Sequence, residues 1–375
     1  MTTAVFLQWN GTNGGAENYT RNLARVLRRD HAVDARLLFL NDGGSIEATA
    51  RQQGIPTLSL GYRSGLQPLE RPEPLRTALK SARPTSIVLV AYGTAHLCLR
   101  AAGISAPIVV VQHNGEALRP WSWLRSRHVA MERVMRLVMA SRTQSEVAVS
   151  EYMGGRQLRV RHARSLLVIP NGVDTDVFLP NEERPCASAT ATLRVAAAGR
   201  LVPEKGFQLA LQAMRSLVDR RVRVRLDIAG GGPQRQQLAT MITDLGLESH
   251  VRLVGATSDM ASFWRLHDVA VVPSTSHSAE SFGMVAVEAM ASGLPVIATC
   301  VGALPSLFDD GEVGLLVRPD SATALATALE SYATRRDLLI AHGVAARDSA
   351  VRRFSLDASA NRFATLLAGF CGRDT

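Results

Sequence analysis

The sequence predicts an α/β protein with two domains, each built around a parallel β-sheet. Short apolar runs of strand type alternate with amphipathic helical stretches along most of the 375 residues, which indicates repeated βα units. A chain of this length is too long for one ordinary domain and sufficient for two. Residues 181–192 combine proline with serine, threonine and alanine, a composition typical of a linker. We place the domains at 1–182 and 193–353, joined by 183–192.

The overall composition indicates a globular protein that stays in the cytoplasm. Hydrophobic residues make up 46% of the chain and charged residues 20%. No apolar run reaches the roughly 18 residues that a membrane-spanning helix needs, and the chain enters a strand pattern without the features of a signal peptide. The four cysteines have neither metal-ligand nor disulfide spacing, so we expect no zinc site and no disulfide framework.

The positive charge is concentrated in the first half of the chain. Residues up to Pro185 carry 23 basic against 15 acidic side chains, whereas the remainder carries 19 against 18. The basic residues are dispersed and form no recognisable nucleic-acid-binding motif, so nucleic acid is not an expected partner. An anionic membrane surface or a phosphorylated ligand fits this distribution better.

A glycine-rich loop joins the first predicted strand to the first predicted helix. Residues 3–8 form a short apolar run, and Gly14 and Gly15 follow at the start of a helical pattern that includes Glu17. Glycines at a helix N-terminus allow a phosphate or a sugar to approach the backbone. A flexible turn without a ligand is the alternative interpretation.

Further predicted strands continue the parallel pattern. They lie around residues 33–40, 57–60, 87–90 and 108–112. His113 and Asn114 directly follow the last of these strands, and His96 follows another. Ligands of open parallel sheets bind at the carboxyl ends of strands, so these residues are candidates for a binding site. For His113, a purely structural histidine is the alternative.

The segment 119–139 is rich in arginine and begins with two tryptophans, Trp121 and Trp123. Its helical part carries Arg133 and Arg136 among apolar valine, methionine and leucine positions. A helix packed on the core with a solvated arginine face explains this pattern. An amphipathic helix that docks on an anionic membrane explains it as well, and would place the protein peripherally on the inner face of the plasma membrane.

The second predicted domain opens with a strand that ends in a basic turn. Residues 193–198 lead into Gly199, and Arg200 and Lys205 follow before the next helix. Two cations at a helix start suit a diphosphate, because arginine offers a planar fork and lysine a point charge. A surface salt bridge is the alternative. The only other lysine in the chain is Lys80, which argues against a chance placement.

Two later strands also end in glycine. Residues 224–229 precede Gly230, and residues 251–254 precede Gly255. The first of these glycines opens the glycine-rich turn Gly230-Gly231-Gly232-Pro233, and three glycines alone are a weak signal of a binding site.

The stretch from Glu280 to Glu288 carries the clearest chemical pattern. The first turn of a helix offers unpaired amides and a partial positive charge. Glu280 precedes the helix and Glu288 lies about a turn inside it, so the two carboxylates suit different parts of an elongated ligand such as a nucleotide sugar. Glu288 has apolar neighbours, where a carboxylate needs a partner, which favours a ligand over a solvated helix face. Between them lie Ser281, Phe282, Gly283 and Met284.

Glu-x7-Glu with Ser-Phe-Gly after the first glutamate resembles the signature of retaining GT-B glycosyltransferases of glycosyltransferase family 4. Gly-Arg-x4-Lys-Gly at 199–206 resembles the donor-phosphate motif of that family, and Gly-Gly-x-Glu at 14–17 its first loop. Ile-Pro-Asn-Gly-Val-Asp at 169–174 resembles the segment between its domains. The resemblance covers nearly the whole chain and is weakest around 41–83.

This resemblance implies a GT-B fold, in which two Rossmann-like domains face each other across a central cleft. The C-terminal domain then holds the nucleotide sugar and the N-terminal domain the acceptor, with the last helix, about 354–370, packed back on the first domain. The implied catalytic residues are His113, Arg200, Lys205 and Glu280. The implied donor-binding residues are Gly14, Gly15, Gly199, Gly230, Gly255, Ser281, Phe282, Gly283, Met284 and Glu288. The acceptor-side candidates are Glu17, His96 and Asn114.

The implied activity is retaining transfer of a hexose from a nucleotide-diphosphate sugar to a hydroxyl group. A UDP-sugar is the first expectation for the donor, and the acceptor is a glycan, a lipid-linked sugar or a small molecule of bacterial natural-product biosynthesis. No metal and no cofactor is expected, because Arg200 and Lys205 supply the charge that the leaving diphosphate requires. A non-catalytic nucleotide-sugar-binding protein, and a phosphorylase or epimerase on the same fold, are the alternatives.

Overall fold

The computed structural model describes residues 2–11, 14–90, 95–113, 143–157, 165–181, 191–308 and 312–370. The chain forms two compact units. The first comprises Met1–Gly172 with Leu356–Thr375, and the second Val173–Ser355. Within the described ranges, no helix has both the length and the apolar character that crossing a membrane requires.

The first unit contains a seven-stranded parallel sheet. Its strands are β1 (Thr2–Gln8), β2 (Val33–Phe39), β3 (Thr57–Ser59), β4 (Ser86–Val90), β5 (Ile108–Gln112), β6 (Thr143–Ala148) and β7 (Ser165–Val168). They are arranged in the order β3-β2-β1-β4-β5-β6-β7, and every neighbouring pair is parallel. This order reverses between β1 and β4, which is the position where ligands of doubly wound sheets bind.

Helices connect these strands, and one more helix returns to this unit from the end of the chain. They are α1 (Gly15–Asp30), α2 (Gly44–Gln52), α3 (Gln67–Glu70), α4 (Glu73–Ala82), α5 (Ala95–Ala101), α6 (Glu151–Gln157) and, near the C-terminus, α13 (Leu356–Ala368). The buried hydroxyl groups of Tyr19 on α1 and Ser359 on α13 are 2.6 Å apart. This hydrogen bond joins α13 to the first unit.

The second unit contains a six-stranded parallel sheet with the order β10-β9-β8-β11-β12-β13. Its strands are β8 (Leu193–Ala198), β9 (Val224–Ala229), β10 (Val251–Gly255), β11 (Val269–Val272), β12 (Val296–Thr299) and β13 (Gly314–Val317). Its helices are α7 (Phe207–Asp219), α8 (Arg235–Asp244), α9 (Met260–Arg265), α10 (Met284–Ala291), α11 (Ala322–Thr334) and α12 (Arg336–Phe354). Every residue of β11 and β12 is buried, as expected for central strands covered on both faces. The predicted α/β class is therefore confirmed.

The second unit begins earlier in the chain than the boundary placed at 182. The guanidinium of Arg347 on α12 donates hydrogen bonds to the main-chain oxygens of Phe178, at 2.7 Å, and of Thr175, at 3.1 Å. The amide of Val173 donates to the carbonyl of Phe354 at 2.8 Å. These bonds attach residues 173–178 to α12, an arrangement that depends on contacts distant in sequence.

Candidate functional site

The basic turn of the second unit lies against the end of β11. Gly206, which follows the short 3-10 helix Pro203–Lys205, has φ of 69°. A Cβ atom at this position would lie 2.0 Å from the carbonyl oxygen of Pro273, the residue that follows β11. Glycine is therefore required here on two grounds, the left-handed backbone and the close approach. As a result, Lys205 lies beside the loop after β11 that carries Glu280.

Lys205 and Glu280, which the sequence analysis assigned to different parts of a ligand, form an ion pair. Nζ of Lys205 lies 2.5 Å from Oε1 of Glu280. The same Oε1 accepts a hydrogen bond from the hydroxyl of Ser274 at 2.7 Å. The carbonyl of Ser274 in turn accepts a bond from Oγ1 of Thr299 at 2.6 Å. Glu280 is only 7% exposed and Ser274 is fully buried.

Arg200, the second predicted cation, remains largely in solvent. Its side chain is 70% exposed, and its guanidinium lies 3.7 Å from the carboxylate of Glu204. An exposed ion pair of this kind contributes little to stability. The side chain is thus available to an anionic ligand, while Lys205 is held by Glu280.

Glu288 lies on α10 and is half-buried, and its partner comes from α9. The indole nitrogen of Trp264 is 3.4 Å from Oε2 of Glu288, and Trp264 itself is buried. Burial raises the pKa of Glu288 from its usual value of 4.5 to about 7, since removal of water disfavours the charged form. The carboxyl group therefore changes its charge near neutral pH.

The four residues before and at the start of α10, Ser281 to Met284, make different contacts. Gly283 precedes the helix with φ of 94°, and a Cβ atom there would lie 2.7 Å from a methyl group of Leu304. The ring of Phe282 is buried and packs edge-on against Phe354, with ring centroids 5.7 Å apart. The hydroxyl of Ser281 donates to the carbonyl of Ala279 at 3.3 Å. Met284, the first residue of α10, is half-buried.

The predicted glycines at the ends of β8, β9 and β10 lie in a row. The amide of Gly199 donates to the carbonyl of Ala229, and the amide of Gly230 to the carbonyl of Gly255 at 2.8 Å. A Cβ atom on Gly230 would lie 1.9 Å from the carbonyl oxygen of Gly199. The three strand ends thus meet backbone to backbone at the carboxyl edge of the sheet.

In the first unit, His113 follows β5 and faces Tyr19. The two rings meet edge-on with centroids 5.9 Å apart. Nε2 of His113 is buried and accepts no hydrogen bond from the described part of the chain. Burial lowers the pKa of His113 to about 4, so the imidazole is neutral at physiological pH.

The other candidates of the first unit lie at the start of α1 and in α5. Glu17 lies in the first turn of α1, two residues after Gly15, and burial raises the pKa of its carboxyl group. A Cβ atom on Gly14 would lie 2.4 Å from Oε2 of Glu17, so this carboxylate bends back over the glycine. His96 belongs to α5. Asn114 and the segment 119–139 lie outside the described residues.

Three side chains of the second unit were not predicted from the sequence. Ser274 follows β11 and donates a hydrogen bond to Glu280, and Thr299 ends β12 and donates to the carbonyl of Ser274. The indole of Trp264 donates to Glu288. The position of Ser274 just after β11 is a detectable signal, because the carboxyl ends of central strands form binding sites. Trp264 has no comparable signal, since its partner is 24 residues away.

Contrary to the expectation that the chain contains no Asp-x-Asp metal motif, such a triplet occurs at Asp174-Thr175-Asp176. Oδ1 of Asp174 accepts a hydrogen bond from the amide of Asp176 at 3.2 Å, which is turn chemistry of the kind that aspartate supports. Within the described ranges, no group of three or more histidine, cysteine, aspartate or glutamate side chains is placed to hold a metal ion.

Two family models match this chain, one for each unit. The model described as Glycosyltransferase Family 4 matches residues 13–177, and the model described as Glycosyl transferases group 1 matches residues 184–347.

Curated relatives match over part of the chain. The chain is 34% identical over 221 residues to the GDP-mannose-dependent alpha-(1-6)-phosphatidylinositol monomannoside mannosyltransferase of Mycobacterium tuberculosis, covering 55% of this chain and 57% of that protein. It is 37% identical over 187 residues to the D-inositol 3-phosphate glycosyltransferase of Corynebacterium glutamicum, covering 45% and 44%. The chain thus spans about half the length of the curated relatives it matches.

Solved structures match over the full length. Anabaena HepE in complex with UDP and glucose has a TM-score of 0.81 at 21% identity, with 98% of this chain and 100% of that chain covered. The sucrose-phosphate synthase of Thermosynechococcus elongatus has a TM-score of 0.79 at 20% identity, with both chains fully covered. At these identities the likeness establishes the fold. The two family models, which together match most of the chain, place it in glycosyltransferase family 4. The two parallel-sheet units and these structures show that its fold is GT-B, with two Rossmann-like halves.

Proposed function

We propose that this chain is a retaining hexosyltransferase that uses a nucleotide-diphosphate sugar as its donor. The observation that carries the proposal is the cluster of Lys205, Glu280 and Ser274 beside the start of α10. It combines a cation for a diphosphate with a carboxylate for sugar hydroxyls, at the carboxyl edge of a doubly wound sheet.

Charge grows on the nucleoside diphosphate as it leaves the sugar, and the groups that meet this charge lie on one turn. Arg200 is exposed and Lys205 lies five residues further along the same turn. Cations placed where negative charge develops are the largest single contribution to many enzymatic rates. We therefore assign to both residues the stabilisation of the departing diphosphate, without a metal ion.

The two carboxylates divide the remaining donor contacts. Glu280 accepts hydrogen bonds from hydroxyl groups of the transferred sugar, and Glu288 from the ribose hydroxyls. Retention follows from attack on the face from which the diphosphate departs, with the phosphate taking the proton of the acceptor hydroxyl. The sugar carbon then passes through an oxocarbenium-like transition state, and no covalent bond to Glu280 is formed.

Two nucleotide sugars are candidates for the donor. A UDP-sugar is the first expectation, and UDP and glucose occupy the related structure of Anabaena HepE. The M. tuberculosis relative is named as GDP-mannose-dependent, so GDP-mannose is the competing candidate. The acceptor is a hydroxyl group of a glycan, a lipid-linked sugar or a small molecule.

The experiment that tests the function is a thermal-shift panel of UDP, GDP, UDP-glucose and GDP-mannose, followed by an assay of nucleotide release. A ligand that binds the folded protein raises its melting temperature. The result that supports a transferase has two parts. Either UDP and UDP-glucose or GDP and GDP-mannose raise the melting temperature, and the protein releases the matching diphosphate from its sugar faster when an acceptor is present. A shift without release under any acceptor supports the non-catalytic binding protein, and no shift at all contradicts the proposal.

A further inference from the structure

The carboxylate of Glu280 is held by two donors on a single oxygen. Oε1 accepts hydrogen bonds from the ammonium of Lys205 at 2.5 Å and from the hydroxyl of Ser274 at 2.7 Å. Oε2 accepts no hydrogen bond from any residue in the described ranges. A buried carboxylate requires partners, because loss of its hydration is costly. The free oxygen, Oε2, is therefore the one that can accept hydrogen bonds from a ligand.

The two donors differ in what a ligand can do to them. The Lys205 side chain is 28% exposed, is long and flexible, and carries the charge that a diphosphate attracts. Ser274 is fully buried, and its short side chain has no such freedom. A diphosphate can draw Lys205 away from Glu280, whereas Ser274 stays in place.

The position of Ser274 is itself fixed by the neighbouring strand. Its carbonyl accepts a hydrogen bond of 2.6 Å from Thr299, the last residue of β12, which is 3% exposed. Thr299 and Ser274 thus form a buried chain of hydrogen bonds that ends on Oε1 of Glu280. Side chains locked by packing and hydrogen bonds of this kind hold a functional group in its productive geometry.

We propose that Ser274 is a positioning residue for recognition of the donor sugar. When the diphosphate binds the ammonium of Lys205, the hydrogen bond from the Ser274 hydroxyl keeps Oε1 of Glu280 in place. Oε2 of Glu280 then accepts a hydrogen bond from a sugar hydroxyl, which replaces the ammonium as the second donor to the carboxylate. This inference rests on the proposed function. It predicts that Ser274 matters more for binding of the nucleotide sugar than for binding of the free diphosphate. Both ligands draw Lys205 away from Glu280, but only the nucleotide sugar supplies a hydroxyl group that replaces it as a hydrogen-bond donor.

Calorimetric titration of the full chain with UDP, UDP-glucose, GDP and GDP-mannose tests the inference. The informative quantity is the ratio of the Kd of the free diphosphate to the Kd of its sugar. Removal of a hydrogen bond to a charged group weakens binding by roughly tenfold or more. We therefore expect Ser274→Ala to lower this ratio about tenfold while the Kd of the free diphosphate changes less than twofold. Ser274→Thr, which retains the hydroxyl, should restore most of the ratio.

Ser292→Ala is the matched control. Ser292 is also fully buried, and its hydroxyl donates to the main-chain oxygen of Glu288 at 3.0 Å rather than to a carboxylate. This variant should keep the wild-type ratio. Thr299→Val, which removes the bond that fixes Ser274, should lower the ratio in the same direction as Ser274→Ala by a smaller factor.

The possible outcomes separate this inference from the proposed function. If Ser274→Ala weakens diphosphate and nucleotide sugar equally, or changes neither, Ser274 is merely structural and the inference is overturned, while the proposed function stands. If the folded wild-type protein binds none of the four probes, the proposed function fails and the inference falls with it.

Discussion

The ammonium of Lys205 and Oε1 of Glu280 lie 2.5 Å apart, although 75 residues separate them in the sequence. The pair joins the turn after β8 to the loop after β11, at the point where the strand order of the second unit reverses. It neutralises a carboxylate that is almost entirely buried. The two charges proposed to bind the donor therefore stabilise each other.

We expect Lys205→Ala to abolish detectable transfer, because the leaving diphosphate loses the half-buried cation that stabilises it. The protein should remain folded, with a free energy of unfolding lower by about 1–3 kcal/mol, since Glu280 is left without its charged partner. Urea unfolding and an assay of nucleotide release measure the two effects. Lys80→Ala, an exposed position on α4, is the control and should change neither.

The double variant Lys205→Ala/Glu280→Gln separates the stability effect from the chemical one. Glutamine removes the charge that the single variant leaves unpaired, so most of the lost stability should return. Transfer should remain absent. Recovery of transfer in the double variant, or wild-type turnover in the single variant, would remove Lys205 from the proposed reaction.

We expect the stability of the protein to depend on the titration of Glu288. The pKa of its carboxyl group is raised from 4.5 to about 7 by burial, so the folded state keeps a proton that the unfolded state releases. The contribution of Glu288 to the free energy of unfolding is then greatest below pH 4.5 and falls as pH rises towards 7, by up to about 3 kcal/mol. Urea unfolding of the wild type and of Glu288→Gln between pH 5 and 8 measures this effect. The variant should have the flatter profile in this window.

Donor affinity should show the opposite pH dependence. Ribose hydroxyls donate to the ionised carboxylate, so binding of a nucleotide sugar should strengthen as pH rises through about 7. A nucleotide sugar is the suitable probe because its diphosphate does not titrate near neutral pH. Calorimetric titration at a series of pH values gives the profile. A profile that is equally steep in Glu288→Gln would assign the effect to another group.

We expect Gly206→Ala to destabilise the protein by about 2–3 kcal/mol. The added methyl group would lie 2.0 Å from the carbonyl oxygen of Pro273, on a backbone with φ of 69°. Donor binding should weaken as well, because the turn that carries Lys205 must move. Gly231→Ala is the matched control, since a Cβ atom there meets nothing within 4 Å. Equal urea midpoints for the two variants would contradict the prediction that the turn at Gly206 has no room for a side chain.

The membrane contact suggested by residues 119–139 stays a prediction. We expect the wild type to pellet with vesicles that contain anionic lipid, and Arg133→Glu/Arg136→Glu to pellet less, because the charge attraction to the surface is reversed. Vesicles of neutral lipid are the control. If the wild type does not bind anionic vesicles, the membrane contact is excluded, and the segment is interpreted as a helix packed on the core with a solvated arginine face.

The sequence by itself determined the fold class and most of the strand positions. Strands of a covered parallel sheet are apolar throughout, and the turns between them are punctuated by glycine and proline, so both signals are local. The glycine row at Gly199, Gly230 and Gly255 and the basic turn at Lys205 could be identified for the same reason. The spacing from Glu280 to Glu288 is also local, because it lies within one loop and one helix.

Only the tertiary structure decided which groups meet. Glu288 is paired with Trp264 from another helix, and Glu280 with Lys205 and Ser274, which follow two different strands. The boundary between the units likewise depends on Arg347, which binds carbonyl groups more than 150 residues away. Such partners are set by strand order and by the close packing of turns such as that at Gly206. Local sequence patterns carry the residue types of a site, but its hydrogen bonds and pKa values arise only when distant strand ends are brought together.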